Sequence, residues 1–213
     1  MRDWAAWHRG YGDPRSALSA RLDRVRLRLS RAIDDAAAGP VRLVSLCAGQ
    51  GHDVIGVLPG HGRREDVTAV LVESDARNTE LARRHAAAAG LTRVQVREAD
   101  ASRVTQFADA LPADVLLLCG IFGNVPASDI ERTVAAAPGL CAAGGTVIWT
   151  RARRPPDLTP RIRAWFAAAG FDEVAFDALD TSTLSAVGVH RLRAAPPRPG
   201  PDWAEPLFTF RPS

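Results

Sequence analysis

An α/β domain with a largely parallel sheet, wound on both faces by helices, is the fold this sequence predicts. Three observations lead there: short apolar runs recur along the chain, segments of helical spacing separate them, and most of the runs are apolar on both faces instead of alternating with polar residues. With 213 residues, 46% of them hydrophobic, the chain can bury one full core, so a single domain with short additions at its ends is expected.

The first element is a helix over residues 14–38, because Leu18, Leu22, Val25, Leu29 and Ile33 recur at spacings of three and four. Asp13 and Pro14 suit its N-cap and first turn, and Gly39-Pro40 stops it. VRLVSLC from Val41 is the first strand, closed by the glycine-containing AGQGHD and followed by the apolar VIGVL, which makes strand, tight turn, helix. Further strands are expected at 68–73, 93–98, 113–119 and 145–150, with helices at 76–89, 102–110 and 128–137 between them. After a helix at 159–169, FDEVAFD and SAVGVHRLR are separated only by the turn-like ALDTST, so they should pair antiparallel. The last stretch, 194–213, begins as a Pro-rich linker and ends in LFTF. Leu207, Phe208 and Phe210 would be a costly apolar patch in water, so they should dock on the sheet edge or close a pocket mouth.

Composition narrows the function classes. No run approaches the roughly 18 apolar residues of a membrane span, and MRDWAAWHRG lacks a secretory pattern, so a cytoplasmic protein with no membrane partner is expected. Cys47, Cys119 and Cys141 are odd in number and lack metal-ligand spacing, which argues against disulfides and a cysteine zinc site; no metal is expected. The formal charge is +3, and every basic side chain is arginine. That excess is small and evenly spread, so no nucleic-acid partner is expected.

Three successive strand ends carry the groups a nucleoside needs, at the edge where open parallel sheets bind ligands. Gly49 and Gly51 permit a tight backbone approach, Glu73 can accept from both hydroxyls of a ribose, and Asp100 can accept from an exocyclic amine such as that of adenine. Each alone is weak, since glycines also shape turns and either acid could cap the next helix. Their order along the strands carries the nucleoside reading.

On these residues the chain resembles the class I S-adenosylmethionine-dependent methyltransferases over residues 41–193, with VSLCAGQGHD as the glycine motif, VESD as the ribose motif, EADA as the adenine motif and ADVLLLCGIFGNV as the fourth-strand motif. The resemblance implies a Rossmann-like, doubly wound, seven-stranded sheet ordered 3-2-1-4-5-7-6 with the last pair antiparallel. It implies S-adenosylmethionine as cofactor, S-adenosylhomocysteine as product, and contacts from Ala48, Gly49, Gln50, Gly51, Asp53, Glu73, Ser74, Asp100, Ala101, Cys119 and Gly120. Ser45 stands where that family has an acid, leaving Asp53 as the nearby carboxylate, and His52 stands where a third glycine is common. An NAD-type oxidoreductase would need glycine in place of Val54 to complete G-x-G-x-x-G. A binding module that keeps the fold without catalysis is the third class.

The acceptor is expected after the fourth strand, where Phe122 offers a wall and Asn124 either a polar, catalytic contact or a turn residue. His190 in the last strand is either a catalytic base or a structural histidine. Arg151, Arg153 and Arg154 follow the fifth strand, where Arg151 would hold an anionic acceptor unless the segment is a solvated loop. Trp4, Trp7 and Tyr11 crowd the N-terminus with His8, either as a lid whose rings meet the cofactor or acceptor or as a hydrophobic anchor. The expected organisation is thus a helical lid over 1–40, a methyltransferase core over 41–193 and a tail over 194–213. The expected partner is a small-molecule acceptor.

Overall fold

The computed structural model describes residues 13, 16–180, 182, 184–193 and 203–211. A long N-terminal helix α1 (Ala17–Asp35) leads into β1 (Val41–Leu46), followed by the short α2 (Val54–Val57), β2 (Val67–Glu73), α3 (Ala76–Ala88) and β3 (Val94–Glu98). After β4 (Ala113–Leu118) come α4 (Ala127–Leu140), β5 (Cys141–Ala152), α5 (Thr159–Ala168), β6 (Phe171–Ala178) and β7 (Ser185–Leu192). The seven strands form one sheet in the order β3-β2-β1-β4-β5-β7-β6. β1 to β5 run parallel, whereas β7 is antiparallel to both β5 and β6, as two runs joined by a turn require.

Two cores flank the sheet, which explains the unbroken apolar runs. One face packs Val44, Leu46, Leu116, Leu118 and Trp149 against α4 and α5; the other packs Leu43, Leu71, Val115 and Ile148 against α1, α2 and α3. The stripe of α1 is buried as its spacing requires, with Leu29 and Ile33 fully enclosed. Arg28 joins this helix to β6 through a two-pronged bond to Asp177, at 2.7 Å for each prong.

Four expectations need correction. The N-cap of α1 is Ser16, whose Oγ accepts from Ser19 N–H at 3.0 Å, so the helix begins later than Pro14. The described part of the 1–40 segment is a wall of the domain and not a lid, because α1 is built into the second core. The 102–110 segment forms only two 3-10 turns, Val104–Gln106 and Ala108–Ala110, where β-branched Val104 and Thr105 and the nearby Pro112 oppose a helix so short. β5 starts at Cys141, ahead of its apolar run, and bulges so that Ala113 pairs with Cys141 but Val115 with Thr146.

The tail docks where the missing helix would have lain. Leu207 and Phe208 are 3% and 2% exposed and share a core with Val104 and Phe107, while Phe210 stays exposed. Leu207 N–H donates to Ser102 O at 2.8 Å, Thr209 N–H to Asp129 Oδ2 at 2.8 Å, and Arg211 N–H to Asn124 O at 3.0 Å. It therefore straps the loop after β3 to the loop after β4. Among the described residues no helix is long and apolar enough to cross a membrane.

Candidate cofactor and acceptor site

Strand order reverses on either side of β1, where ligands of open parallel sheets sit beyond the carboxyl ends of the strands. The loop leaving β1 turns through positive φ at Cys47 (54°), Gly49 (57°) and Gly51 (72°). A Cβ on Gly51 would also lie 2.6 Å from Ile55 Cδ1 and 3.0 Å from Leu71 Cδ2, so the torsion favours glycine there and any side chain would displace the ends of Ile55 and Leu71. From outside, Arg26 of α1 pins the loop, its Nε and Nη2 donating to the His52 carbonyl at 2.9 and 2.7 Å. Asp53 ends the loop as the N-cap of α2, its Oδ1 accepting from Val54 N–H at 2.8 Å.

Glu73 at the end of β2 reaches across to this loop. Its Oε2 accepts from Gly49 N–H and its Oε1 from Asp75 N–H, both at 2.8 Å, which leaves each oxygen a further lone pair. Burial raises its pKa, opposed by the amides of Asp75, Gly49 and Ser74. Beyond β3, Asp100 Oδ1 accepts from Ser102 N–H at 2.9 Å and Ser102 Oγ–H at 2.7 Å, while Oδ2 lies 3.6 Å from Arg103 Nε. Asp100 therefore caps no helix: one of its oxygens closes a local turn onto Ser102, and the 3-10 turn that follows has Arg103 at its N-cap with no side-chain bond.

Electrostatics sorts the site into two ends. Burial pushes the Cys47 thiol well up, and the charges of Glu73 and Asp100 push it further, so both carboxylates act on one point beside β1. At the other end burial raises the Asp53 carboxyl, opposed by its backbone hydrogen bonds and by the guanidinium charges of Arg26 and Arg21. The Cys119 thiol is raised by burial and by Asp53, with Arg21 opposing. Asp53, Arg21 and Cys119 therefore gather at the β1/β4 gap. Both thiols stay protonated, which makes neither a nucleophile. Gly120 follows with φ 81°, its N–H donating to Thr150 Oγ1 at 2.9 Å, and a Cβ there would meet nothing within 4 Å.

Ala48, Gly49, Gln50, Gly51, Asp53, Glu73, Ser74, Asp100, Cys119 and Gly120 thus lie at the ends of four adjacent strands. Ala101 follows Asp100 in sequence, but its methyl is buried in the first core. The acceptor candidates divide differently. Phe122 is fully buried, 6.0 Å from the Trp149 ring, so it is a core residue and not a pocket wall. Asn124 Nδ2 donates to Gly120 O at 2.7 Å and closes the loop after β4, the turn role. His190 lies mid-strand, opposite Val147, stacked 4.4 Å from Phe166 and 1% exposed; enclosed below the strand ends, it cannot reach an acceptor there. Arg151 is half-buried near the end of β5 and its Nη1 donates to the Phe122 carbonyl, so it is not part of a solvated loop. Trp4, Trp7, His8 and Tyr11 lie outside the described residues. Among those described, no group of three or more His, Cys, Asp and Glu could hold a metal ion.

Three site arginines escape the sequence: Arg21 and Arg26 on α1, and Arg211 in the tail. In a chain whose every cation is arginine, composition cannot mark them, and they come to the site only through helix packing and tail docking.

This architecture is the fold of the class I S-adenosylmethionine-dependent methyltransferases. The chain is similar to magnesium protoporphyrin IX methyltransferase from Synechocystis PCC 6803, solved with bound S-adenosylmethionine, at TM-score 0.67 and 13% identity, covering 87% of this chain and 89% of that one. It is similar to an O-methyltransferase family protein from Burkholderia thailandensis, at TM-score 0.65 and 18% identity, covering 84% of this chain and 57% of that one. It is also similar to an O-methyltransferase family 2 protein from Planctomyces limnophilus in complex with apigenin, at TM-score 0.60 and 19% identity, over 82% of this chain and 59% of that one. No family model matches the chain, and no curated protein matches it by sequence.

Proposed function

We propose that the protein is an S-adenosylmethionine-dependent methyltransferase acting on a small-molecule acceptor. One observation carries the reading: around the switch point, neighbouring strands end in Asp100, in Glu73 bonded to Gly49, in a loop whose torsion favours glycine at position 51, and in an open Gly120. The donor set fits the cofactor. Glu73 keeps acceptor capacity for the ribose hydroxyls, and Asp100 Oδ2 for the adenine amine, while Asp53 and Arg21 present opposite charges to the amino and carboxylate groups of the methionine end.

When bound, the sulfonium supplies an already activated methyl carbon, so transfer is an in-line displacement for which alignment and desolvation suffice. The chain's part is to hold and orient. Arg26 fixes the glycine loop, Glu73 ties that loop to β2, and Asn124 with the tail fixes the loop after β4 against which the acceptor would lie. No general base is required unless the acceptor arrives protonated. Against the oxidoreductase reading, Val54 fills the place of the third glycine and is completely buried, so helix and strand cannot approach as that fingerprint needs. The porphyrin and apigenin in the names of the similar structures support a small acceptor.

Calorimetry with S-adenosylmethionine, S-adenosylhomocysteine and NAD tests the cofactor, with micromolar binding expected of the first two only. Incubation of a metabolite extract with isotopically labelled methyl donor, read by mass spectrometry, should then reveal a labelled product. Binding of NAD alone, or of neither thioether nor sulfonium, would overturn the assignment. Cofactor binding with no methylated product would leave the non-catalytic module.

A further inference from the structure

Building on the methyltransferase reading, we propose that Arg151 and Arg211 form an oxyanion site beside the loop after β4, holding a carboxylate or phosphate group carried by the acceptor. The two residues are far apart in sequence and are brought to one loop by independent means. Arg151, one residue short of the end of β5, sends Nη1 to the Phe122 carbonyl, and Arg211 is held by its N–H on the Asn124 carbonyl at 3.0 Å. Both anchors lie within the loop that leaves Cys119 and Gly120, beside the methionine end of the proposed cofactor site.

The charge at this corner is unbalanced. Most arginines near the domain surface end on a carboxylate: Arg28 on Asp177, Arg97 on Asp109, Arg132 on Asp129, Arg153 on Asp180 and Arg163 on Glu173. Among the described residues neither Arg151 nor Arg211 has such a partner. Arg151 Nε is moreover enclosed without a hydrogen-bond partner. Its guanidinium is made easier to deprotonate by burial and by the like charge of Arg211, against the weaker opposing charge of Asp157. Asp157 is itself engaged, its Oδ1 accepting from Thr159 N–H at 2.9 Å and Thr159 Oγ–H at 2.8 Å.

Two like charges held together in a partly buried place are unfavourable unless an anion joins them, and a guanidinium fork matches the oxygens of carboxylate or phosphate. Arg211 is not a stray side chain of a loose tail. Burial of Leu207 and Phe208, with the Thr209 bond to Asp129, delivers it to the same loop. Two guanidiniums match one oxyanion, whereas a nucleic-acid track neutralises several phosphates.

The test titrates inorganic phosphate and benzoate into the full-length protein, alone and saturated with S-adenosylhomocysteine, following the arginine side-chain resonances by NMR. Wild type should bind at least one probe saturably in the millimolar range. Arg151→Gln and Arg211→Gln should each weaken that binding at least fivefold, and Arg84→Gln, the same charge change on the exposed face of α3, should not. Preference for phosphate or for benzoate assigns the acceptor's group. Arg211 is exposed, so its variant tests the site even if Arg151→Gln folds poorly. No saturable binding, or binding indifferent to both variants, overturns the proposal. S-adenosylhomocysteine affinity is read separately: its absence beside arginine-dependent anion binding would sink the cofactor reading alone, and the converse would sink the anion site alone.

Discussion

Glu73 has two roles that a variant can separate. Its carboxylate closes the glycine loop through Gly49 and Asp75, and in the proposed function its remaining lone pairs take the ribose. Glu73→Ala should weaken S-adenosylhomocysteine binding at least tenfold, since hydrogen bonds to a charged acceptor are worth about 1.5–3 kcal/mol each, and should lower stability by about 1–3 kcal/mol for the orphaned amides. Calorimetry and denaturant melts check the two effects, and unchanged affinity would remove Glu73 from the site. His190 shows the opposite economy, a polar ring with no polar task. Burial against Phe166 and Trp149 leaves both nitrogens unpartnered and lowers its pKa to about 4, with Glu173 opposing and Arg163 assisting. Because the folded pKa is depressed, the unfolded chain takes up the proton first. Stability is therefore complete above pH about 6.5 and is lost as pH falls towards 4, by about 2 kcal/mol at pH 5 from this residue alone. His190→Phe should flatten that slope between pH 7.5 and 5 in urea melts, while His52, also lowered to about 4, keeps its own share. An unchanged slope would show that the ring is protonated in the folded state.

At the scale of elements, the tail behaves as an integral layer of the first core. Truncation before Trp203 would strip Leu207 and Phe208 from Val104 and Phe107 and unpair the carbonyls of Ser102 and Asn124. The two apolar side chains alone contribute about 3–6 kcal/mol, so the truncated protein should unfold at markedly lower urea and bind S-adenosylhomocysteine more weakly, because the loops after β3 and β4 lose their strap. Equal stability would mean that the tail merely rests on the surface. The same region marks where sequence reading succeeded and where it failed. Strands β1, β2, β4 and β5 were legible because a strand buried on both faces must be apolar throughout, β3 at the sheet edge because its valines alternate with polar residues, and α1 because its stripe meets one core. The 102–110 segment was not, since its apolar Val104 and Phe107 have helical spacing whether or not a helix forms, and what covers them arrives from far along the chain. Gly49, Glu73 and Asp100 were legible as candidate site residues because strand ends concentrate ligand groups. Asn124 and His190 were ambiguous, because a residue type alone does not say which way a loop or strand turns it.

Across the whole molecule, the distribution of arginine decides between a metabolite and a nucleic acid as acceptor. The formal charge of +3 would permit a basic track only if folding gathered unpaired arginines into a stripe. Folding does the reverse over much of the surface. Arg24 and Arg28 converge on Asp177, Arg97 meets Asp109, Arg163 meets Glu173, and Arg191 and Arg193 meet Asp35 and Asp172. Arg63 donates to four backbone carbonyls, those of Ile33, Ala36, Ala37 and Gly39, and so holds the end of α1 in place of any phosphate. These pairs are mostly exposed and add little to stability, but each removes a charge that a phosphate backbone would need. The proposed pair of Arg151 and Arg211 supplies two guanidiniums, which match one oxyanion. Binding to structured RNA or duplex DNA should accordingly be weaker than micromolar at low salt, with a slope against salt no steeper than one or two phosphates produce, since each neutralised phosphate adds about 0.9 to the slope for duplex DNA. Filter binding across a salt series measures both quantities. Micromolar or tighter binding with a steep slope would overturn the small-molecule reading, and the acceptor would then be sought among nucleic acids.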